Sequence, residues 1–273
     1  VKRMADRAVF IVLGAAMALT AAVLVLPLVY TIAMSFEPRP TIGPFPPETL
    51  SLQWYRKFFE SPYFLGGLWT SLLVALISSV ISSTLGTFAA IGLSRATFPG
   101  ARLLSALFLS PLVVPGVVLG FALVVFFSLT GLDSSFARIV LAHVLVTIPY
   151  TIRTSLAVVD GISPTLTEAA LSLGANERQA LLRVVFPLAR TGIATGFILA
   201  FAFSMDDISA TIFLTDPKVY TLPVALASSI KSQFNLTIAA ASIMLILLAI
   251  AFIVVLDRIV GIEAVLGKGI YRS

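Results

Sequence analysis

The chain has 273 residues, 59% of them hydrophobic and 11% charged, with a net charge of +5 and a mean hydropathy of +1.05. Soluble domains carry about 25% charged residues, so this balance excludes a water-soluble globular fold and makes lipid the main solvent. The bases are spread thinly over the ends of apolar runs, which is the pattern of topology-setting charges and not of a nucleic-acid patch, and the absence of Cys excludes disulfides and thiolate chemistry.

A lipid-crossing helix needs about 20 mostly apolar residues. Six stretches meet that length: 8–35, 66–94, 103–129, 137–157, 191–214 and 236–260. None shows the short apolar–polar alternation of a membrane barrel, so the expected fold is an all-α membrane protein with six transmembrane helices. The first stretch follows a basic start and outruns the roughly 7–15 apolar residues of a signal-peptide core, so it is expected to be a retained span. With the N-terminus inside, the inner side collects Lys2, Arg3, Arg7, Arg95, Arg102, Arg153, Arg178, Arg183, Arg190, Arg258, Lys268 and Arg272. The outer side collects Arg39, Arg56, Lys57, Arg138, Lys218 and Lys231. That bias places both termini in the cytoplasm.

Between the first two spans, "EPRPTIGPFPPETL" holds Pro38, Pro40, Pro44, Pro46 and Pro47 and is expected to be extended. The following "LSLQWYRKFFES" puts Trp54, Tyr55, Phe58 and Phe59 on one helical face, expected to anchor at the lipid interface or, more sharply, to meet an external partner. Pro111 and Pro115 should bend the third span. Gly116 with Gly120, and Gly192 with Gly196, are G-x-x-x-G pairs that permit close helix contact, a common and weak signal. His143 in the fourth span reads as a hydrogen-bonded packing residue ahead of a proton relay.

The segment "EAALSLGANERQALLRVVFPLAR" (168–190) then interrupts the grease with two acids and three Arg. Ser163 can cap a first short helix, with Pro164 at its first position and Gly174 closing it. Leu166, Ala169, Ala170 and Leu173 fall at i, i+3, i+4 and i+7 and form one small apolar face. Asn176 opens a second helix with Gln179 three residues on, a capping-box arrangement, and Pro187 is expected to stop it before the fifth span. A face this small cannot bury the helix alone and is shaped for another protein's groove; the bland alternative is an amphipathic hairpin lying on the inner leaflet.

In the fifth span, "FAFSMDDISATIFL" places Asp206 and Asp207 about 22 Å along the helix from its inner end. A carboxylate in lipid costs about 2.5–3.5 kcal/mol on insertion scales, so each should face protein, water or a cation. Neighbouring residues point about 100° apart, so one acid is expected to line a cavity while the other caps a broken helix or pairs with a base. Helix termination or an intersubunit hydrogen bond is the structural reading; stabilising a passing ammonium is the functional one. Phe203 flanks the acids and could add cation–π attraction, although Phe in a membrane helix is ordinarily packing. Between 215 and 235 a further short helix is expected near the outer surface.

The motif E-A-A, three residues, Gly174, nine residues, then "VVFP" resembles the EAA loop of ABC-importer permeases. Glu168, Ala169, Ala170, Gly174 and Pro187 match in spacing, with Val184 where Ile is usual and Phe186 where Leu is usual. "LQWYRKFF", "SPLVVPGVVLG", "HVLVTIPYTIRTSL" and "FSMDDISATIFLTDP" extend the likeness to the spermidine/putrescine-type permeases of the MetI-like superfamily. The resemblance implies a single permease domain over 1–273 of type I importer architecture, in a bacterial inner membrane. Residues 163–190 would form a cytoplasmic coupling-helix loop between the fourth and fifth spans. It implies that Leu166, Glu168, Ala169, Ala170, Leu173 and Gly174 form the ATPase-coupling surface, with Glu168 meeting polar or basic groups of the ATPase, and that Asp206, Asp207 and Phe203 are candidates for the substrate path. The implied partners are a second homologous permease, with a heterodimeric pore expected, two cytoplasmic ATPases and an extracytoplasmic solute-binding protein. No cofactor or metal is expected on this chain: it lacks G-x-x-x-x-G-K-[ST], so ATP and Mg2+ would sit on the ATPases.

Polyamines are the expected cargo, with thiamine, ferric ion, phosphonate or sulfate as alternatives within the same fold. An ion-driven secondary transporter is the runner-up from another class, but it would require repeats that the two halves do not show. An intramembrane hydrolase lacks its motifs, so a non-catalytic permease is expected.

Overall fold

A computed structural model describes residues 2–40, 43, 45–95, 99–232 and 235–260. In chain order the helices are α1 (Lys2–Met34), α2 (Gln53–Glu60), α3 (Pro62–Ser94), α4 (Ala101–Leu109), α5 (Gly116–Thr130) and α6 (Ser135–Val159). They continue with α7 (Pro164–Ser172), α8 (Glu177–Ala180), α9 (Phe186–Asp206), α10 (Leu222–Ser232) and α11 (Thr237–Val260). No strand occurs among the described residues. Among the described residues five helices are long and apolar enough to cross a membrane: Val9–Met34, Pro62–Ser94, Ser135–Val159, Glu177–Asp206 and Thr237–Val255. The pair Ala101–Leu112 and Gly116–Thr130 makes a sixth if it is one span, but it is bent by 101°. Pro111 lies in a 3-10 turn (Ser110–Leu112) and Pro115 caps α5, so the bend expected of these two prolines is present and sharp enough to break the helix. Lys268 and Arg272, both counted toward the inner side, lie outside the described residues.

The chain divides into two compact units, Val1–Phe64 with Leu226–Leu247 and Leu65–Ala225 with Leu248–Ser273. In the first, the described part of the proline-rich stretch is neither helix nor strand, as the prolines require. The aromatic face of α2 is covered by the chain itself: Trp54 and Phe58 are buried, and Trp54 clusters with Met34, Leu236 and Ala240. Trp54 Nε1 donates to the Glu37 carbonyl at 2.5 Å, Tyr55 shares a hydrogen bond with Ser35 at 2.8 Å, and Arg39 closes on the buried Glu37 carboxylate at 2.7 Å. The expected anchoring face is therefore mostly interior, because the indole N–H has a backbone acceptor inside the unit. Phe59 alone of the four aromatics is exposed.

In the second unit α6 and α9 pack backbone against backbone. A Cβ on Gly192 would sit 2.7 Å from the Thr154 carbonyl, and one on Gly196 would sit 2.6 Å from Thr154 Oγ1 and 3.0 Å from Thr151 Cα. The other G-x-x-x-G pair also works within the chain, with Gly120 against Ala210 and Gly116 against Ser209. Small side chains thus let polar groups on α6 reach their neighbours. Ser82 Oγ meets Thr147 Oγ1 at 2.7 Å, Thr151 Oγ1 donates to the Ser82 carbonyl at 2.8 Å, and Thr87 meets Ser155 at 3.3 Å, all buried. Around this seam Val74, Phe127, Ile139, Val140, Ala142, Val144 and Leu214 form an apolar cluster. The turn before α10 is closed by Asp216, which accepts from the Lys218 and Val219 amides at 2.7 and 2.9 Å. A hydrogen bond from Ser135, with those amides, holds its carboxyl below the usual carboxylate range.

The expected fifth span, 191–214, is displaced. α8 runs through a π-helical turn (Leu181–Val185) straight into α9, and the helix ends at Asp206. Pro187 does not stop it. The wide turn, in which the Phe186 N–H bonds the Leu181 carbonyl, shifts the register just ahead of the proline ring.

Candidate functional site

The segment 163–187 builds its shape from local chemistry. Ser163 occupies the N-cap of α7 with Pro164 behind it, though its hydroxyl bonds Thr165 Oγ1 at 2.7 Å in place of a helix amide. At the other end Gly174 takes φ +91°, a conformation costly for any residue with a Cβ. The Ala175 N–H then reaches the Ala170 carbonyl at 3.1 Å and the Gly174 N–H the Leu171 carbonyl at 2.9 Å, the paired bonds of a Schellman stop. Asn176 and Gln179 form a complete capping box, at 2.8 and 3.0 Å.

The structure splits the residues expected to act together on α7. By helical position Leu166, Ala169, Ala170 and Leu173 share one face, and Leu166 and Leu173 are 47% and 89% exposed. Pro164, Thr167, Glu168 and Leu171 occupy the opposite side, where they line a cleft of about 520 Å3 against Ser94 and Arg95 at the end of α3 and Asp160 at the end of α6. Arg95 donates to Thr167 Oγ1 at 3.3 Å and Ser94 to the Asp160 carboxylate at 2.5 Å. Glu168 lines that cleft and is itself exposed, on the side of α7 away from Leu173. Arg95, Thr167 and Asp160 escaped the sequence reading, since nothing in their spacing joins the ends of three different helices.

The second expected cluster is split as well. Asp207 leaves the helix (φ −68°, ψ 120°), and its Oδ2 accepts from the Ala210 and Thr211 amides at 3.3 and 3.0 Å and from Thr211 Oγ1 at 2.6 Å. It caps the 3-10 turn that follows. Behind it, buried His143 spans the gap: Nε2 lies 2.7 Å from Thr211 Oγ1 and Nδ1 lies 2.6 Å from Ser204 Oγ. Because the Thr211 hydroxyl donates to Asp207, Nε2 carries the ring proton and Nδ1 accepts from Ser204, so every group is satisfied by a neutral ring. His143 is thus the packing residue expected. The stripe His143, Thr147, Thr151, Ser155, at steps of four, was the sequence signal for this polar seam.

Asp206 is exposed and makes no hydrogen bond or ion pair among the described residues. One turn back on the same face, Phe203 is 44% exposed and stacks on Tyr150 of α6, with ring centroids 4.1 Å apart and an interplanar angle of 18°. By contrast Phe201 and Met205 are buried, and Phe201 stacks on Phe252 at 3.5 Å. An open carboxylate beside a stacked aromatic pair can receive a cation; the capping carboxylate next to it is already committed. Among the described residues no group of His, Asp and Glu is arranged to hold a metal ion.

A family model described as the binding-protein-dependent transport system inner membrane component matches residues 82–262. The chain belongs to that family. It is a multi-pass inner-membrane permease subunit of an ABC importer and not an enzyme. The permease is 27% identical over 202 residues to the spermidine/putrescine transport system permease protein PotC of Escherichia coli, covering 74% of this chain and 76% of that protein. It is 32% identical over 240 residues to the trehalose transport system permease protein SugB of Mycobacterium tuberculosis, covering 85% and 88%. In fold it is similar to a crystal structure of a bacterial ABC transporter involved in the import of the acidic polysaccharide alginate. There the TM-score is 0.69 over 94% of this chain and 96% of that one, at 19% identity.

Proposed function

We propose that the permease forms half of a pore for polyamines or a similar small cationic solute. A second homologous permease supplies the other half, and a solute-binding protein outside delivers the cargo. Two cytoplasmic ATPases, which hold ATP and Mg2+, drive the cycle. Both termini and α7 lie in the cytoplasm, where the excess of Lys and Arg belongs. α7 is the coupling helix, the element through which closure of the ATPases reaches the membrane.

The observation that carries the coupling reading is the outward face of α7. Leu173, at the C-cap of a helix closed by a Schellman stop, is 89% exposed and so buries almost nothing against its own chain. The cargo reading rests on Asp206 beside the Phe203–Tyr150 stack, and on the polyamine systems to which the PotC-type relatives belong. Asp206 and Phe203 stand in the path; Asp207 stands behind it. The trehalose relative favours a second reading, since stacked aromatics also take sugar faces.

Uptake assays on the complete complex in proteoliposomes separate the two, with labelled putrescine and labelled trehalose as cargoes and ATP inside. Putrescine uptake is expected, and Asp206→Asn should lower it about tenfold, the value of one lost charge contact. Trehalose uptake with Asp206→Asn inert would replace the amine reading with the sugar one.

A further inference from the structure

We infer that Pro187 is a positioning residue of the coupling step: it holds the wide turn Leu181–Val185 open, and that turn sets the angle at which α7 stands on α9. This rests on the reading of α7 as the coupling helix. In a regular α-helix the ring of Pro187 would strike the Arg183 carbonyl, and that carbonyl would lose its N–H. The chain instead bonds the Phe186 N–H to the Leu181 carbonyl, five residues back, so one residue more than an α-turn needs is taken up just before the ring. Glu177–Asp206 therefore runs on as one helix through a proline.

The burial pattern shows what the extra residue does. Val185, Ala189, Gly192, Gly196 and Ala200 are buried at steps of four, three, four and four, the spacing of one helical face. Across the wide turn the step is five, from Ala180 to Val185, and both are 1% exposed. A straight helix would put Leu181 where Ala180 is buried and turn α8 by about 100°, with an axial shift of about 1.5 Å. The turn is well seated: Val185 packs with Ile91 of α3 and Val159 of α6, and the Phe186 ring meets that of Phe88 of α3 at 5.7 Å. Pro187 itself is exposed, so it acts on the backbone and not on this cluster. α7 contacts both the wide turn and α8, and its Leu171 lines one cleft with Val185. A push on α7 thus enters α9 at the wide turn, and the register of α8 aims the face that α7 offers outward.

The test is made on the complete reconstituted complex and read as solute moved per ATP hydrolysed. Pro187→Ala should lower that ratio about tenfold, and deleting Leu182 in the same variant should restore most of it, since the two changes act on one register. Leu182 is exposed, and without it Ala180 lies one regular step of four before Val185. Alanine replaces the poorest helix former, so the variant is expected to assemble. The second readout is the distance between spin labels at Arg178→Cys and Arg190→Cys in this Cys-free chain, two exposed positions on either side of the turn. Pro187→Ala should lengthen it by on the order of 5 Å, and the deletion should bring it back. An unchanged distance means that packing and not Pro187 holds the turn, and it overturns the inference. So does a lengthened distance with the ratio unchanged, or a lost ratio that the deletion fails to restore. Leu173→Asp tests the underlying reading separately. If it leaves transport intact, α7 is not the coupling helix; if it abolishes transport while Pro187→Ala changes nothing, only the role of Pro187 falls.

Discussion

The seam between α6 and α9 and the short helix α7 are neighbours in sequence but opposite in construction. In the seam, Gly192 and Gly196 bring the α6 and α9 backbones together, and buried hydroxyls of α6 pair with α3, so α6 is held by contacts to other helices. In α7 the bonds that shape the helix are local, a proline start, a Schellman stop and a neighbouring capping box, with the Arg95–Thr167 bond as a tie to the end of α3. The seam is specified by what it touches inside the chain, whereas α7 is shaped first and leaves its apolar side for something outside. Substitutions in the seam should therefore cost stability, and substitutions on α7 should cost transport.

The largest effect is expected from Gly196→Leu. Even its Cβ would meet Thr154 Oγ1 at 2.6 Å and the Thr151 backbone at 3.0 Å, so α9 must move off α6. Overpacking of this kind costs about 1–3 kcal/mol or more, and here it strikes backbone that cannot yield. Thermal melting in detergent should show a strongly lowered transition, and co-purification with the partner permease should be lost. A variant that melts like the parent would mean that the seam is looser than a close-packed contact.

Next comes His143→Ala, which strips Ser204 and Thr211 of their shared partner. Ser204 keeps Ser78 and Thr211 keeps Asp207, so the loss is two buried hydrogen bonds, about 0.5–1.5 kcal/mol each. Asp207→Ala should cost about 1–2 kcal/mol, because the turn loses its cap. Asp206→Asn, one residue away, should leave the melting point unchanged and alter only uptake. That contrast between adjacent carboxylates decides whether the helix end divides labour as the geometry indicates.

The same contrast explains what was legible in the sequence. Caps at Gly174 and Asn176, and the N-cap position of Ser163 though not the bond of its hydroxyl, could be read because they are set within a few residues. That one of the adjacent acids would cap a break in the helix while the other turned away from it could be foreseen from the helical angle between them. Which acid took which role could not, because it depends on the helix ending at Asp206 and not at Leu214. Pro187 was read as a stop because its missing N–H is a local fact, while the π turn that accommodates it involves Leu181 and Phe186 together. α2 shows the same limit: periodicity marks an apolar face at Trp54 and Phe58 without saying that Met34 and Leu236 will cover it. Long-range partners such as Arg95 for Thr167 follow only from how three helix ends meet.

On the α7 side, Asn176→Ala removes half of the capping box and should lower stability by about 1 kcal/mol. Because α8 continues through the π turn into α9, the loss should appear as faster amide exchange over 176–181 with the seam still protected. Exchange that spread into α9 would show that the two regions unfold as one.

The smallest effect on stability, and the sharpest on function, belongs to Leu173→Asp. The side chain is 89% exposed, so the change removes almost no buried surface, and the melting point should move by less than about 0.5 kcal/mol equivalent. The new carboxylate, however, lies on the face that carries Leu166, Ala169 and Ala170, where docking into an apolar groove would have to desolvate it. Transport should fall by at least tenfold, and capture of the ATPase by a cross-linker placed at Ala170→Cys should fall with it. A permease that is as stable as the parent but uncoupled from its engine follows from a helix whose fold is local and whose surface is kept for a partner. If Leu173→Asp lowered the melting point instead, α7 would be packed against its own chain, and the distinction between seam and lever would collapse.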